Sequence, residues 1–129
     1  MQQILFIVIG GSLGALTRYG LSKYISQSIQ GIFPWGTLVI NLTGSFLIGF
    51  FFELFDRAMI PAEWRNIITI GFLGAYTTFS TYSLETLSLL QTGEIKAGLL
   101  NILMSNLLGI GLVFTGMQFS RFLIKIWVR

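Results

Sequence analysis

Residues Gly71–Glu85 read GFLGAYTTFSTYSLE, and the fold turns on how they are read. They lie in a segment from Asn66 to Leu84 that carries no charged residue, long enough to cross most of a hydrocarbon core of ~30 Å at ~1.5 Å per helical residue. The segment is therefore expected to span a membrane. Its middle is nevertheless a poor helix: Gly71 and Gly74 cost backbone entropy, and the hydroxyls of Thr77, Thr78, Ser80, Thr81 and Ser83 compete for backbone partners. A break near Gly74 to Thr78 is expected. Irregular backbone at bilayer depth is tolerated only where protein or a water-filled cavity satisfies the freed N–H and C=O groups, so the break marks a site or a pathway.

Composition agrees with that reading. The chain has 129 residues, of which 53% are hydrophobic and 10% charged, and a mean hydropathy of +0.78, values that belong to an integral membrane protein. With no histidine and no cysteine, disulfides, thiol chemistry, imidazole relays and most zinc and haem sites are ruled out. Little remains for an enzyme to work with. The net charge of +3 comes from scattered Lys and Arg without a basic cluster, so there is no footprint for nucleic acid. The first apolar run lacks a basic leader and continues through Arg18; it reads as a retained span rather than a signal peptide.

Four charge-poor segments organise the whole chain, 1–129, as a single all-α membrane domain of four transmembrane helices, the third of them broken. The first runs from about Ile4 to Ile25, where Gly10 and Gly14 form a GxxxG pair flanked by Gly11 and Ala15, a face on which another helix can approach closely. Near its end, Arg18 reads either as a side chain snorkelling to the interface or as a structural bridge. A turn from Gln27 to Trp35 leads to the second span, about Gly36 to Phe52, whose Thr37, Asn41, Gly44 and Ser45 fall at helical spacings on one small, polar face. Asn41 either ties two helices together or lines a pathway. Glu53, Asp56, Arg57, Pro61, Glu63 and Arg65 mark a polar connection. In the second half of the third span Phe79, Tyr82 and Glu85 share a face, Glu85 near the far end in a solvated, capping or functional role. Gln91–Glu94 form a turn, and the fourth span, about Ala97 to Phe119, carries Asn101, Ser105 and Gly109 at four-residue steps with Asn106 on an adjoining face. Arg121, Lys125, Trp127 and Arg129 form a basic, aromatic interfacial end. Four spans place both termini on one side, and the Lys and Arg of the two sides then number five against three, a weak positive-inside bias compatible with either orientation.

Three stretches, GGSLGALTRY at Gly10–Tyr19, WGTLVINLTGSFLIG at Trp35–Gly49 and GFLGAYTTFSTYSLE at Gly71–Glu85, together closely resemble the Fluc (CrcB) family of small bacterial fluoride channels. The resemblance covers three of the four spans. It implies a multi-pass protein of the bacterial cytoplasmic (inner) membrane, an antiparallel, dual-topology homodimer with two pathways that export fluoride passively. It further implies a structural sodium ion at the centre of the dimer, held by the backbone carbonyls of Gly74 and Thr77 from both subunits. By the same resemblance Phe79 is a pore phenylalanine, Asn41 the pore asparagine, Ser105 a pore serine and Arg18 the arginine of the first span. Two positions depart from the pattern: the second pore phenylalanine is Tyr82, and the position one turn beyond Ser105 is Gly109.

The residue types suit a small, strongly hydrated anion. A pore must replace water's hydrogen bonds, and Asn41 offers an amide while Thr37, Ser80, Thr81, Tyr82 and Ser105 offer hydroxyls; aromatic edges add partial positive charge. None binds as tightly as a cation, which conduction requires. Two other classes fit four small spans. A dual-topology, proton-coupled multidrug exporter needs a membrane-embedded acid, for which Glu85 is the only candidate; a structural membrane subunit would use its polar residues only to join helices.

Overall fold

A computed structural model describes residues 2–57 and 60–127, and every regular element in them is helical. The chain makes four helical passes through the bundle, three of them in helices long and apolar enough to cross a membrane. Helix α1, Gln2–Ser28, and helix α2, Trp35–Arg57, are each long and apolar enough to span a bilayer. The third crossing is assembled from α3 (Ala62–Arg65), a π-helical segment Asn66–Leu73, a single turn α4 (Gly74–Tyr76) and α5 (Phe79–Gln91). The fourth, continuous from Ile95 to Trp127, consists of α6 (Ile95–Leu103), a π-helical segment Met104–Leu108 and α7 (Gly109–Trp127). Arg129, expected at the interface, lies outside the described residues.

The spans run further than the apolar runs suggest. Glu53, Asp56 and Arg57, expected in the connection after the second span, are still helical, because Glu53 is buried and bonded to the last helix. Arg121 donates from Nε to Glu53 Oε1 at 2.7 Å and from Nη2 to Oε2 at 3.1 Å. Arg57, one turn on from Glu53, pairs with the same Oε1. A carboxylate with these partners can remain inside a helix bundle that its charge alone would exclude it from. The turns before α2 and α6 fall where expected, and Gly93 takes a left-handed φ of 86° that a residue with a side chain would resist.

Two close helix pairings hold the bundle. Along α1, a Cβ on Gly10 or Gly14 would strike the backbone of Ile67 or Phe72, and one on Gly71 would meet Ile7 and Gly10. The GxxxG face therefore packs within the subunit, against the first half of the third span. Gly71, expected to weaken that helix, serves the close approach instead. The second pairing joins α2 to α7: a Cβ on Gly49 would strike the Val113 carbonyl, and one on Gly116 the Phe46 carbonyl. Successive contacts Ser45–Gly109, Gly49–Val113 and Glu53–Arg121 advance along both helices together, so α2 and α7 are parallel. That direction returns Trp127 to the end of the bundle where Gln2 begins. Ile40, Leu73 and Tyr76 form the buried centre, whereas Ile4, Leu13, Leu16, Ile110 and Phe114 point outward. An apolar exterior around so small a core is what a lipid solvent permits.

Candidate functional site: a cavity at the broken helix

The break falls at Thr77 and Thr78. Gly74 is helical, with φ −62° and ψ −33°, while Thr77 (−78°, 155°) and Thr78 (−147°, 109°) are extended. β-branched threonine accepts that conformation readily, and three sets of side-chain hydrogen bonds hold it. Asn41 of α2 presents its amide edge-on to Thr78: Thr78 N–H donates to Asn41 Oδ1 at 2.8 Å, and Asn41 Nδ2 donates to Thr78 C=O at 3.1 Å. The Thr78 hydroxyl caps α5 by accepting the Thr81 N–H at 3.2 Å and donates to the Thr81 hydroxyl at 2.8 Å. Thr43 and Tyr76 join hydroxyls at 2.8 Å, tying the turn before the break to α2.

These bonds explain why the Gly74 and Thr77 carbonyls are special. In a continuous helix Gly74 C=O would accept from Thr78 N–H, and Thr77 C=O from Thr81 N–H. Both donors are diverted, the first to Asn41 and the second to the Thr78 hydroxyl. Two main-chain oxygens are thereby deprived of their usual i+4 partners on either side of the kink. Carbonyl oxygens are hard, neutral ligands of the kind sodium takes, so the residues present fit such an ion. Among the described residues no cluster of acidic side chains offers an alternative cation site.

The break opens into a cavity of about 370 Å³. Asn41, Phe79, Tyr82 and Ser105 border it together with Gly74 and Thr77, so six of the residues singled out from sequence meet at one place. The wall is uncharged and mixed, its hydroxyls and amides set among the apolar Ile48, Leu73 and Phe79. Phe79 is 79% exposed in the single subunit, and its ring centroid stands 5.7 Å from that of Tyr82. A second cavity of about 340 Å³ lies on the other side of Thr78, bordered by Arg18, Lys23, Ser22, Thr37 and Thr81. Arg18, Thr37 and Thr81 therefore belong to a cationic antechamber rather than to the first cavity. Ser80 is exposed on α5 and borders neither. Glu85 accepts from the Thr37 hydroxyl at 2.9 Å, linking α5 to the start of α2.

Which hydroxyl protons remain for an ion follows from the bonds already made. Thr37 directs its proton to Glu85, Thr78 to Thr81, and Ser105 makes a long 3.4 Å contact with Asn101. Tyr82 differs. Its phenol oxygen accepts from Asn106 Nδ2 at 3.1 Å, so its proton is left to point elsewhere, and Asn41 retains one amide N–H beyond the bond to Thr78. Asn106, placed by sequence on an adjoining face, thus borders the cavity and orients Tyr82. The π-helical segment Met104–Leu108 brings it there, since a π turn aligns residues five apart. Asn101 and Asn106, separated by that interval, both reach α5, Asn101 Nδ2 donating to Thr86 at 2.9 Å.

Residues 5–117 match the family described as CrcB-like protein, Camphor Resistance (CrcB). The chain belongs to the CrcB family. It is 48% identical over 124 residues to the fluoride-specific ion channel FluC of Salinibacter ruber, covering 96% of this chain and 93% of that protein. The corresponding protein of Magnetococcus marinus, also a fluoride-specific ion channel FluC, is 45% identical over 121 residues, 93% of this chain and 98% of its own. In this CrcB-family chain each of the three stretches that carried the resemblance contributes residues to the two cavities at the break, Arg18 from the first, Asn41 from the second and Phe79 from the third.

Proposed function

We propose that the chain is a passive fluoride channel of a bacterial cytoplasmic membrane, assembled as an antiparallel homodimer. The single observation that carries this reading is the convergence of Asn41, Phe79, Tyr82 and Ser105 on one uncharged cavity with hydrogen-bond donors at the helix break, in a family whose relatives are named for fluoride conduction. An anion drawn to the antechamber by Arg18 and Lys23 is passed to neutral donors, the Thr81 and Tyr82 hydroxyls and the second Asn41 N–H. Neutral donors replace hydration without trapping the ion. The aromatic edges of Phe79 and Tyr82 supply further partial positive charge.

A dimer is supported by the face that the lone subunit leaves open. The two donor-deprived carbonyls are costly to leave against lipid, and a second copy would cover them together with the exposed ring of Phe79. Antiparallel pairing needs each chain in both orientations, for which the weak charge bias is permissive. A sodium ion between the two breaks would supply positive charge to gather the carbonyls of Gly74 and Thr77 from both copies; Asn41 and Thr78 keep those carbonyls available.

Fluoride efflux from proteoliposomes, with chloride as the control, tests the proposal. Rapid fluoride release with little chloride release is expected. Equal rates for the two ions would remove the fluoride reading, and fluoride movement that requires a proton gradient would favour an exporter working through Glu85.

A further inference from the structure

A third cavity, of about 440 Å³, lies at the opposite end of α2 and α7 from the antechamber and is bordered by Arg57, Gln118, Arg121, Phe122, Ile124 and Lys125. Fluoride conduction makes no use of it. Behind its wall lies the buried carboxylate of Glu53, which does not itself border the cavity and whose Oε1 receives both Arg57 Nε and Arg121 Nε. Two guanidinium groups gathered on one carboxylate leave an excess positive charge, and each turns part of itself outward, Arg57 being 50% and Arg121 40% exposed at the side chain. Lys125, one helical turn beyond Arg121, adds a third cation on the cavity wall. Asp56 on the same helix end is exposed and does not border the cavity, while Arg65 is turned towards the Phe55 carbonyl, 3.4 Å away.

The surroundings define the height of this cavity in a bilayer. Trp127 is 91% exposed two residues beyond Lys125, where an indole marks the boundary between hydrocarbon and headgroups, and Phe122 and Ile126 are exposed beside it. A fork of guanidinium N–H groups matches the geometry of phosphate oxygens, and the neighbouring apolar side chains match acyl chains. We propose that this cavity binds the phosphodiester headgroup of an anionic glycerophospholipid, with Glu53 as the positioning residue that holds the two arginines open toward it. The bound phosphate neutralises the excess charge of the cluster and clamps α2 to α7 from the lipid side. In an antiparallel dimer one such site faces each leaflet.

Thermal unfolding of the purified protein in detergent, with added phosphatidylglycerol, phosphatidylcholine or inorganic phosphate, tests the site. Phosphatidylglycerol should raise Tm and phosphatidylcholine should not. Lys125→Gln and Arg57→Gln should each weaken the apparent affinity for phosphatidylglycerol by about fivefold, the effect of one surface cation on anionic lipid, while fluoride flux in neutral vesicles stays as it was. Lys125→Gln changes an exposed side chain that makes no ion pair among the described residues, so its folding is not at risk even where that of Arg57→Gln is. An equal phosphatidylglycerol effect in wild type and Lys125→Gln would overturn the proposal. So would inorganic phosphate reproducing the full shift, which would make the cavity a site for free anions.

Discussion

Asn41 and Thr78, on different spans, exchange two hydrogen bonds through one side-chain amide, at 2.8 and 3.1 Å. The amide occupies the position a neighbouring strand would take beside an extended residue, and this satisfies a backbone that could not otherwise lie inside a membrane. Asn41 is therefore a tie between helices, one of the two roles its sequence position suggested, and it also borders the cavity.

Replacing Asn41 by Leu removes both bonds and frees the Thr78 N–H to return to the Gly74 carbonyl. The site for a cation should then be lost along with the fluoride path. We expect fluoride flux to fall to background and any difference in Tm between sodium and potassium buffers to vanish. A Tm that still rises selectively with sodium would separate Asn41 from the carbonyl site. Asn41→Asp should fail as well, because its second oxygen would face the Thr78 carbonyl.

The phenol of Tyr82 is oriented by Asn106, which makes its proton one of the donors left to an ion. Tyr82→Phe keeps the ring and should lower fluoride flux by roughly fivefold, the equivalent of one hydrogen bond of ~1 kcal/mol. Phe79→Ile keeps bulk but loses the polarised edge, and should lower it further. Flux per assembled dimer, measured beside Tm on the same preparation, distinguishes these effects from packing. Unchanged flux in Tyr82→Phe would show that only the ring matters at this position.

Gly116 and Gly20 are both helical, yet a methyl group has opposite consequences at each. At Gly116 it would strike the Phe46 carbonyl, whereas at Gly20 it meets nothing within 4 Å. Gly116→Ala should destabilise the protein by about 1–3 kcal/mol, the usual cost of overpacking. Gly20→Ala should be neutral or slightly stabilising, since alanine favours helix by about 1 kcal/mol. Chemical unfolding in mixed micelles gives both values.

Glu53→Ala leaves Arg57 and Arg121 facing one another without the carboxylate that joins them. A clear drop in Tm is expected, partly restored when Arg121→Met is added, because the second change removes the uncompensated charge. A double variant no more stable than the single one would mean that Glu53 acts through packing alone.

Much of this arrangement was legible in the sequence. A charge-free run too rich in glycine and hydroxyls to be a simple helix marked the broken span, and Asn41, Phe79, Tyr82 and Ser105 do meet beside it. The break lies inside the expected interval, Gly74 to Thr78, and falls at its two threonines because capping by Thr78 and the amide of Asn41 compensate for extension there. The departures elsewhere have physical causes. From sequence Glu53 groups with the polar residues of a connection, and only the tertiary pair with Arg121, 68 residues away, places it inside the helix bundle. Thr37 and Thr81 share a helical pattern with cavity residues but turn into the antechamber. Asn106 was hidden by the assumption of four-residue steps along the fourth span.

That last irregularity also fixes how the gene can vary. The fourth crossing contacts α5 through Asn101 and Asn106 and contacts α2 through Gly109, Gly116 and Arg121. The π-helical segment between these groups accommodates one residue more than an α-helix would. Deleting any one residue of Met104–Leu108 would rotate everything after it by about 100° relative to everything before. One set of contacts could be kept only by abandoning the other. Insertions and deletions should therefore be absent from this short stretch across descendants of the same ancestor, even where Met104, Leu107 and Leu108 drift, because its length is under selection independently of the chemistry of Ser105 and Asn106.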